Sequence, residues 1–452
     1  MKKLAIVILA FLSFSCSKTG TPVSTGESTD PPQYGTPYQK VPVGKDAIIY
    51  QVNIRAFSSD GNLNGIQGRL DKIKELGVNV IYLMPINPVG TVKSVNSPYS
   101  IKDHKSVGTE YGSLSDLQKL IEAAHSRDMA VILDFVANHT AWDHVWINNK
   151  SWYKQDGSGN IIHPPGTNFL DVAQLDFSNV AMKNAMIDAM RYWILAANAD
   201  GYRCDFADNV PFRFWKEAIS SLRSISGRKI LMLAEGTRND HFKAGFDLSF
   251  GMAFYSKLKA VYQQGNGATT INDLNNSEYV NATDNAAVVR YISNHDVNLS
   301  DGTPLDLFHG DKGSVGAFVI AAYMKGVPMI YNAQEIGYPT RITYFDKTPI
   351  NWFSNSGMTD TYAKILGFRK TSKALRDGQL FTYSTNDVVI FQRKLDDESV
   401  FVAVNTRNNP TDVTIPGALQ NTTWIDVISN EQKTLGTSLS LPANDYLILK
   451  SK

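Results

Sequence analysis

Cysteine is nearly missing from this chain. Two occur in 452 residues, Cys16 and Cys204, and two cannot make a disulfide framework. A charge of one sign is missing too: 44 Lys+Arg face 43 Asp+Glu, for a net charge of +1. That balance excludes a nucleic-acid binder working through a basic surface, and equally an acidic tail protein. No glycine-rich phosphate loop opens any helical pattern, and no repeat of 20–50 residues recurs beyond a strand–helix alternation. What the chain does have is core material. Hydrophobic residues make up 43% and aromatics 11%, which excludes wholesale disorder. The length predicts two or three domains, or one large barrel with an appendage.

At the N terminus, Lys2 and Lys3 precede the apolar run Leu4 to Leu12 and then Ser13-Phe14-Ser15-Cys16. The run is too short for a membrane span. It resembles a bacterial lipoprotein signal, although Ser13 stands where an aliphatic residue is usual; ordinary secretion is the alternative. The expectation is a signal peptide over 1–15, a lipidated Cys16 and a flexible tether over 16–45, rich in Ser, Thr, Gly and Pro. The protein is then an extracytoplasmic, membrane-anchored lipoprotein, in the periplasm or at the cell surface. It touches the membrane only through its anchor.

From Asp46 onward, short apolar runs alternate with amphipathic stretches. The runs begin at Ala47, Val78, Ala130, Gly201, Ile230, Phe246, Val288 and Val327. Runs without polar alternation suit strands buried on both faces, hence a parallel sheet. Between them, Ile66, Leu70 and Ile73, then Leu117, Leu120, Ile121 and Ala124, recur at helical spacing. Ser113 and Asp116 form a capping pair for the second helix. Eight such units predict an α/β fold: a closed (β/α)8 barrel over 46–378. An open doubly wound sheet is the alternative. About forty residues, 139–179, follow the third strand and predict an inserted subdomain. Strand patterns over 379–452 predict a C-terminal antiparallel β-sandwich domain.

Barrels of this kind carry their working groups where strands end. Those points hold Asp134 with Asn138-His139, Arg203 with Asp205, Glu235, and Asn294-His295-Asp296. An Asp closing a strand is more often a cap or a turn residue. So many carboxylates, histidines and an arginine converging on one pocket are costly for stability alone, and this points to catalysis.

In order and spacing, Asp134-Phe135-Val136-Ala137-Asn138-His139, Gly201-Tyr202-Arg203-Cys204-Asp205, Ala234-Glu235 and Ser293-Asn294-His295-Asp296 resemble the four short motifs of the α-amylase family of glycoside hydrolases. Further likeness lies in Met84-Pro85-Ile86, in Ser97 to His104, and in Gly326-Val327-Pro328 with Gln334-Glu335. The resemblance implies that Asp205 is the nucleophile, Glu235 the acid/base and Asp296 the third carboxylate gripping sugar hydroxyls. It implies that His139 and His295 clasp the sugar on the non-reducing side of the cut bond, with Tyr99 as its aromatic platform. Arg203, sharing a strand face with Asp205, is expected to hold that carboxylate ionised. Glu235 follows an apolar strand, and partial desolvation is expected to keep it protonated. Asp134 is read as holding a loop in shape, and Cys204 as a packed core thiol.

The chain also departs from the family. Its members often hold calcium through the Asn matching Asn138 and an Asp, for which this chain has Gln174. No cofactor is therefore expected to be required, with calcium kept as an alternative. The usual Lys-His pair after the nucleophile is replaced by Asp208 and Asn209. The expected activity is a retaining α-glucan hydrolase cutting α-1,4 bonds of starch-like polymers or maltooligosaccharides, with no nucleic-acid partner. The alternatives are an exo-acting α-glucosidase, a maltogenic enzyme, a transglycosylase, or a non-catalytic glycan-binding protein. The last would be expected to lose a carboxylate, and none is lost.

Overall fold

In chain order the first ten strands are β1 (Ile49–Val52), β2 (Val80–Leu83), β3 (Ala130–Val136), β4 (His139–Ala141), β5 (Val172–Gln174), β6 (Gly201–Asp205), β7 (Leu231–Ala234), β8 (Leu248–Phe250), β9 (Ala287–Arg290) and β10 (Val327–Tyr331). The computed structural model describes residues 30–353 and 355–451; the expected leader, Cys16 and the tether up to residue 29 lie outside the described residues. All of these strands except β4 and β5 are parallel neighbours in one closed barrel. It runs β1, β2, β3, β6, β7, β8, β9, β10 and back to β1, where Ile49 pairs with Met329. Their residues are buried on both faces, as an all-parallel sheet covered by helices requires. Gly201 opens β6 at φ +147, where a Cβ would stand 1.9 Å from the Leu231 carbonyl oxygen. Only glycine fits there.

Helix Leu114–His125 starts at a full capping box between Ser113 and Asp116 and buries Leu117, Leu120, Ile121 and Ala124. The first helix is split into Leu63–Gln67 and Leu70–Glu75, yet Ile66, Leu70 and Ile73 all remain buried. The sixth barrel strand lies two residues later than its apolar run suggests. Phe246 and Asp247 instead finish the turn after Gly245, and the Asp247 carboxylate accepts the Met232 amide at 2.9 Å.

Between β3 and helix Val180–Ala196, the chain pairs β4 with β5, setting His139 opposite Gln174. Trp142, Trp146 and Trp152 fold back onto the main core. Beyond the barrel come β11 (Gln379–Thr382), β12 (Val388–Leu395), β13 (Glu398–Asn405), β14 (Thr411–Thr414), β15 (Thr422–Asp426), β16 (Gln432–Leu435), β17 (Ser438–Leu441) and β18 (Tyr446–Lys450). They form a six-stranded antiparallel sheet and the two-stranded sheet β14–β17. One face of the larger sheet, with Val388, Ile390, Phe401 and Leu449, packs with Val413 and Leu441 of the smaller. Its other face, with Val389, Phe391, Val400, Val402 and Ile448, joins the barrel's core.

Part of the expected tether is corrected. From residue 30 the chain is strapped to the barrel. Asp30 pairs with Arg191, the Tyr34 amide donates to Leu195 O at 2.8 Å, and the Tyr34 hydroxyl donates to Glu122 at 2.7 Å. Tyr38 stacks on His125 at 4.2 Å, and Lys40 pairs with Asp128 at 2.7 Å. Composition alone hides this because two tyrosines, two ion pairs, single hydrogen bonds and one buried aliphatic residue, Val41, make the attachment.

Candidate active site

A cleft of about 910 Å³ opens over the C-terminal ends of the barrel strands, lined by Tyr99, His139, Asp205, Glu235, His295 and Asp296 among others. At its floor lies one buried guanidinium. Arg203 Nη1 is 2.7 Å from Asp134 and 2.9 Å from Asp205, and its Nη2 is 2.5 Å from Glu235. The ends of β3, β6 and β7 are thereby tied together. Asp205 and Glu235 face the cleft, whereas Asp134 is sealed beneath it.

The surroundings of two carboxylates differ from expectation. Glu235 is held by polar partners as well as by its apolar strand: besides Arg203, its Oε2 accepts the Phe206 amide at 2.7 Å. Phe206 adopts φ 47, ψ 41, left-handed geometry that costs a non-glycine residue energy. For Asp205, burial and then the charge of Glu235 push the carboxyl well above the usual range, against the pull of Arg203. Burial also raises Asp134 and Asp296. One guanidinium among four carboxyl groups cannot compensate them all, so burial disfavours the charge on Asp134, Asp205 and Asp296.

Around this floor stand the sugar-facing groups. Gln51 Nε2 donates to His295 Nδ1 at 2.7 Å, which leaves the proton on Nε2, 2.7 Å from the Tyr99 hydroxyl. Tyr99 in turn donates to Asp134 at 3.0 Å, and Tyr82 donates to the same oxygen at 2.7 Å. Asp134 therefore braces Arg203 and Tyr99 rather than a loop. Burial lowers both His139 and His295 to about 4, so each is a neutral imidazole near pH 7. Asn294 caps helix His295–Ser300 by accepting the Asp296 and Val297 amides. Tyr344 donates to Asp296 at 3.3 Å. Cys204 is buried and free.

All seven residues singled out in the sequence line or floor this one cleft. Gln51, Tyr82, Phe206 and Tyr344 were not singled out. Gln51 did leave a signal, a lone polar residue in an apolar strand; Tyr344 lies in an irregular loop after β10 and left none.

The family's calcium position can be tested on the junction of barrel and insertion. Gln174 Nε2 donates to Asn138 O at 3.0 Å, to Asn138 Oδ1 at 3.2 Å and to Leu175 O at 3.0 Å, while Asn138 Nδ2 donates back to Gln174 Oε1 at 3.2 Å. An amide nitrogen occupies the oxygens a hard cation would need. The residues present do not fit calcium.

The family profile described as the α-amylase catalytic domain matches residues 26–160, and that of the maltogenic amylase C-terminal domain matches residues 380–448. The crystal structure of an α-amylase from Lactobacillus plantarum superposes with a TM-score of 0.81 at 26% identity, over 90% of this chain and 99% of that one. Residues 26–160 and 380–448 thus carry the signatures of the α-amylase family of glycoside hydrolases. The α-amylase MalA of Haloarcula japonica is 25% identical over 423 residues, 88% of this chain; the match spans 60% of that relative's length. A noncanonic maltogenic α-amylase from Thermotoga neapolitana shares the fold at TM-score 0.80 and 22% identity, over 90% of this chain and 98% of that one.

Proposed function

We propose that this chain hydrolyses α-1,4-glucosidic bonds of starch-like polymers or maltooligosaccharides with retention, through a covalent glycosyl-enzyme. The observation that carries this reading is the bridge of Arg203 between Asp205 and Glu235. Two carboxyl groups on one guanidinium suit the spacing of about 5–5.5 Å that retaining chemistry needs, better than the wider gap of inverting enzymes.

Asp205 attacks the anomeric carbon while the bond to the leaving sugar oxygen breaks, and Glu235, as general acid, protonates that oxygen. Water then attacks the same carbon, Glu235 takes the water's proton, and the ester to Asp205 opens. Asp296 and the neutral His139 and His295 hold hydroxyls of the sugar, and Tyr99 stacks on its ring. Arg203 fixes the two reacting carboxyl groups relative to each other. No step calls for a metal.

Time-resolved product analysis on amylose, pullulan and maltotetraose tests the reading. The first products should carry the α-anomer, seen by NMR before mutarotation, and should be lost in Asp205→Asn and Glu235→Gln. A β-anomer would overturn it. Early mid-sized fragments from amylose mean endo attack; glucose or maltose alone means an exo-acting enzyme.

We further propose that the enzyme is exported and anchored through Cys16, on the strength of the charged, apolar and Ser-Cys pattern of residues 2–16. Two or more acyl chains give durable anchoring where one is marginal. Wild type should partition into detergent, and Cys16→Ala should not. A fully soluble wild type with another N terminus would sink this part alone.

A further inference from the structure

We infer that Asp208 is a positioning residue for the acid/base: its carboxylate ties the loop that follows Glu235 to the loop that follows Asp205. The inference rests on the reading of Glu235 given above. Asp208 stands three residues after Asp205, in the single turn Ala207–Asn209 at the rim of the cleft. It lines the cleft, but its oxygens are already taken. They accept the Thr237 amide at 2.9 and 3.1 Å, the Thr237 hydroxyl at 3.2 Å, the Arg238 amide at 3.1 Å and His241 Nε2 at 2.6 Å.

The tie runs both ways. Arg238 Nη1 donates back to Asp208 O at 2.7 Å and to Val210 O at 3.0 Å. His241 is wholly buried and donates from Nε2 to the Asp208 carboxylate, with no hydrogen-bond partner at Nδ1 among the described residues. Gly236, the residue immediately after Glu235, is threaded through the knot: a Cβ there would lie 2.2 Å from Asp208 Oδ1 and 2.6 Å from His241 Nε2. Burial opposes the charge on Asp208, but the bonds from His241, Thr237 and Arg238 outweigh it and hold the carboxyl at about 2. Glu235 is thus gripped at its carboxylate by Arg203 and the Phe206 amide and at its backbone by Cys204 O and the Ala207 amide, while Asp208 fixes the chain two and three residues beyond it. The fifth barrel helix, cut to the one turn His241–Ala244, brings His241 within reach of the rim.

A misplaced acid harms only reactions that need an acid. The test compares kcat/KM, which reports the glycosylation step, on maltotetraose and on α-maltosyl fluoride, whose leaving group departs without a proton. Asp208→Asn should lose about 10²-fold on maltotetraose and less than about threefold on the fluoride. Thr237→Val, which removes one donor and spares the charge, should show the same pattern more weakly; it serves if Asp208→Asn fails to fold. Equal losses on both substrates in these variants would overturn the positioning role. Glu235→Gln is the reference. If it too loses both substrates equally, the acid assignment falls and the inference with it; if it spares the fluoride while the Asp208 and Thr237 variants do not, only the positioning role falls.

Discussion

Asp134 and Arg203 form an ion pair at 2.7 Å with both side chains sealed from solvent. The same Nη1 reaches Asp205 at 2.9 Å, so a residue that never meets substrate shares a nitrogen with one proposed to attack it. Removing one partner of a buried pair leaves an uncompensated charge, at about 3–5 kcal/mol. Asp134→Ala should cost stability on that scale in urea denaturation. Asp134→Asn, nearly isosteric, should keep the fold but let Arg203 and Tyr99 shift, lowering kcat on maltotetraose by about 10²-fold. Activity within twofold of wild type would show that the pair does not set the site's geometry.

Glu335 gives a stability prediction with a definite sign. It is buried and accepts the Tyr50 hydroxyl, and burial lifts it from 4.5 to about 7. The unfolded carboxyl loses its proton first, so this group's contribution is full below about pH 4.5 and is lost as pH rises to about 7. A rise of that size corresponds to about 3 kcal/mol. Glu335→Gln should therefore gain on wild type as pH rises from 5 to 8. Parallel denaturation midpoints across that range would refute it.

At the junction of barrel and insertion, the Gln174–Asn138 amide pair predicts indifference to chelation. Chelator should leave the melting temperature and activity nearly unchanged. Gln174→Ala, which strips three donated hydrogen bonds from buried carbonyl oxygens, should lower the melting temperature, and added calcium should not restore it. A large loss on chelation, reversed by calcium, would mean that other oxygens bind the ion.

The strap over residues 30–43 should be felt as stability. Tyr38 and His125 stack at 4.2 Å with an interplanar angle of 4°, and such pairs add about 0.5–1.5 kcal/mol beyond their buried area. A chain beginning at residue 44 should melt several degrees lower, and Tyr34→Ala with Tyr38→Ala should reproduce much of that loss. Unchanged melting in both would reduce the strap to passive contact.

The barrel was legible because its strands are short, mostly apolar runs without polar alternation, buried on both faces, a pattern few other folds demand. The strand-end carboxylates and histidines were legible because their positions follow from the strands. Three features were not. The environment of Glu235 depends on Arg203 and on an amide from a neighbouring strand end, so the apolar residues before it misled. Tyr344 arrives from an irregular loop, where periodicity carries no information. The strap looked like a linker because a few specific bonds, unlike an apolar face, leave no compositional trace.

The place where the strap docks has a spatial consequence. Its partners Asp128, Asn198 and Gly227 stand just before β3, β6 and β7, at the barrel's end opposite the cleft. The chain therefore enters the barrel from behind. Any support fixed upstream of residue 30 holds the enzyme by its back, leaving the mouth of the cleft turned outward. A long glucan could then lie across that mouth without colliding with the support, and the distance from support to cleft is set by the rigid height of the barrel as well as by the reach of the upstream chain.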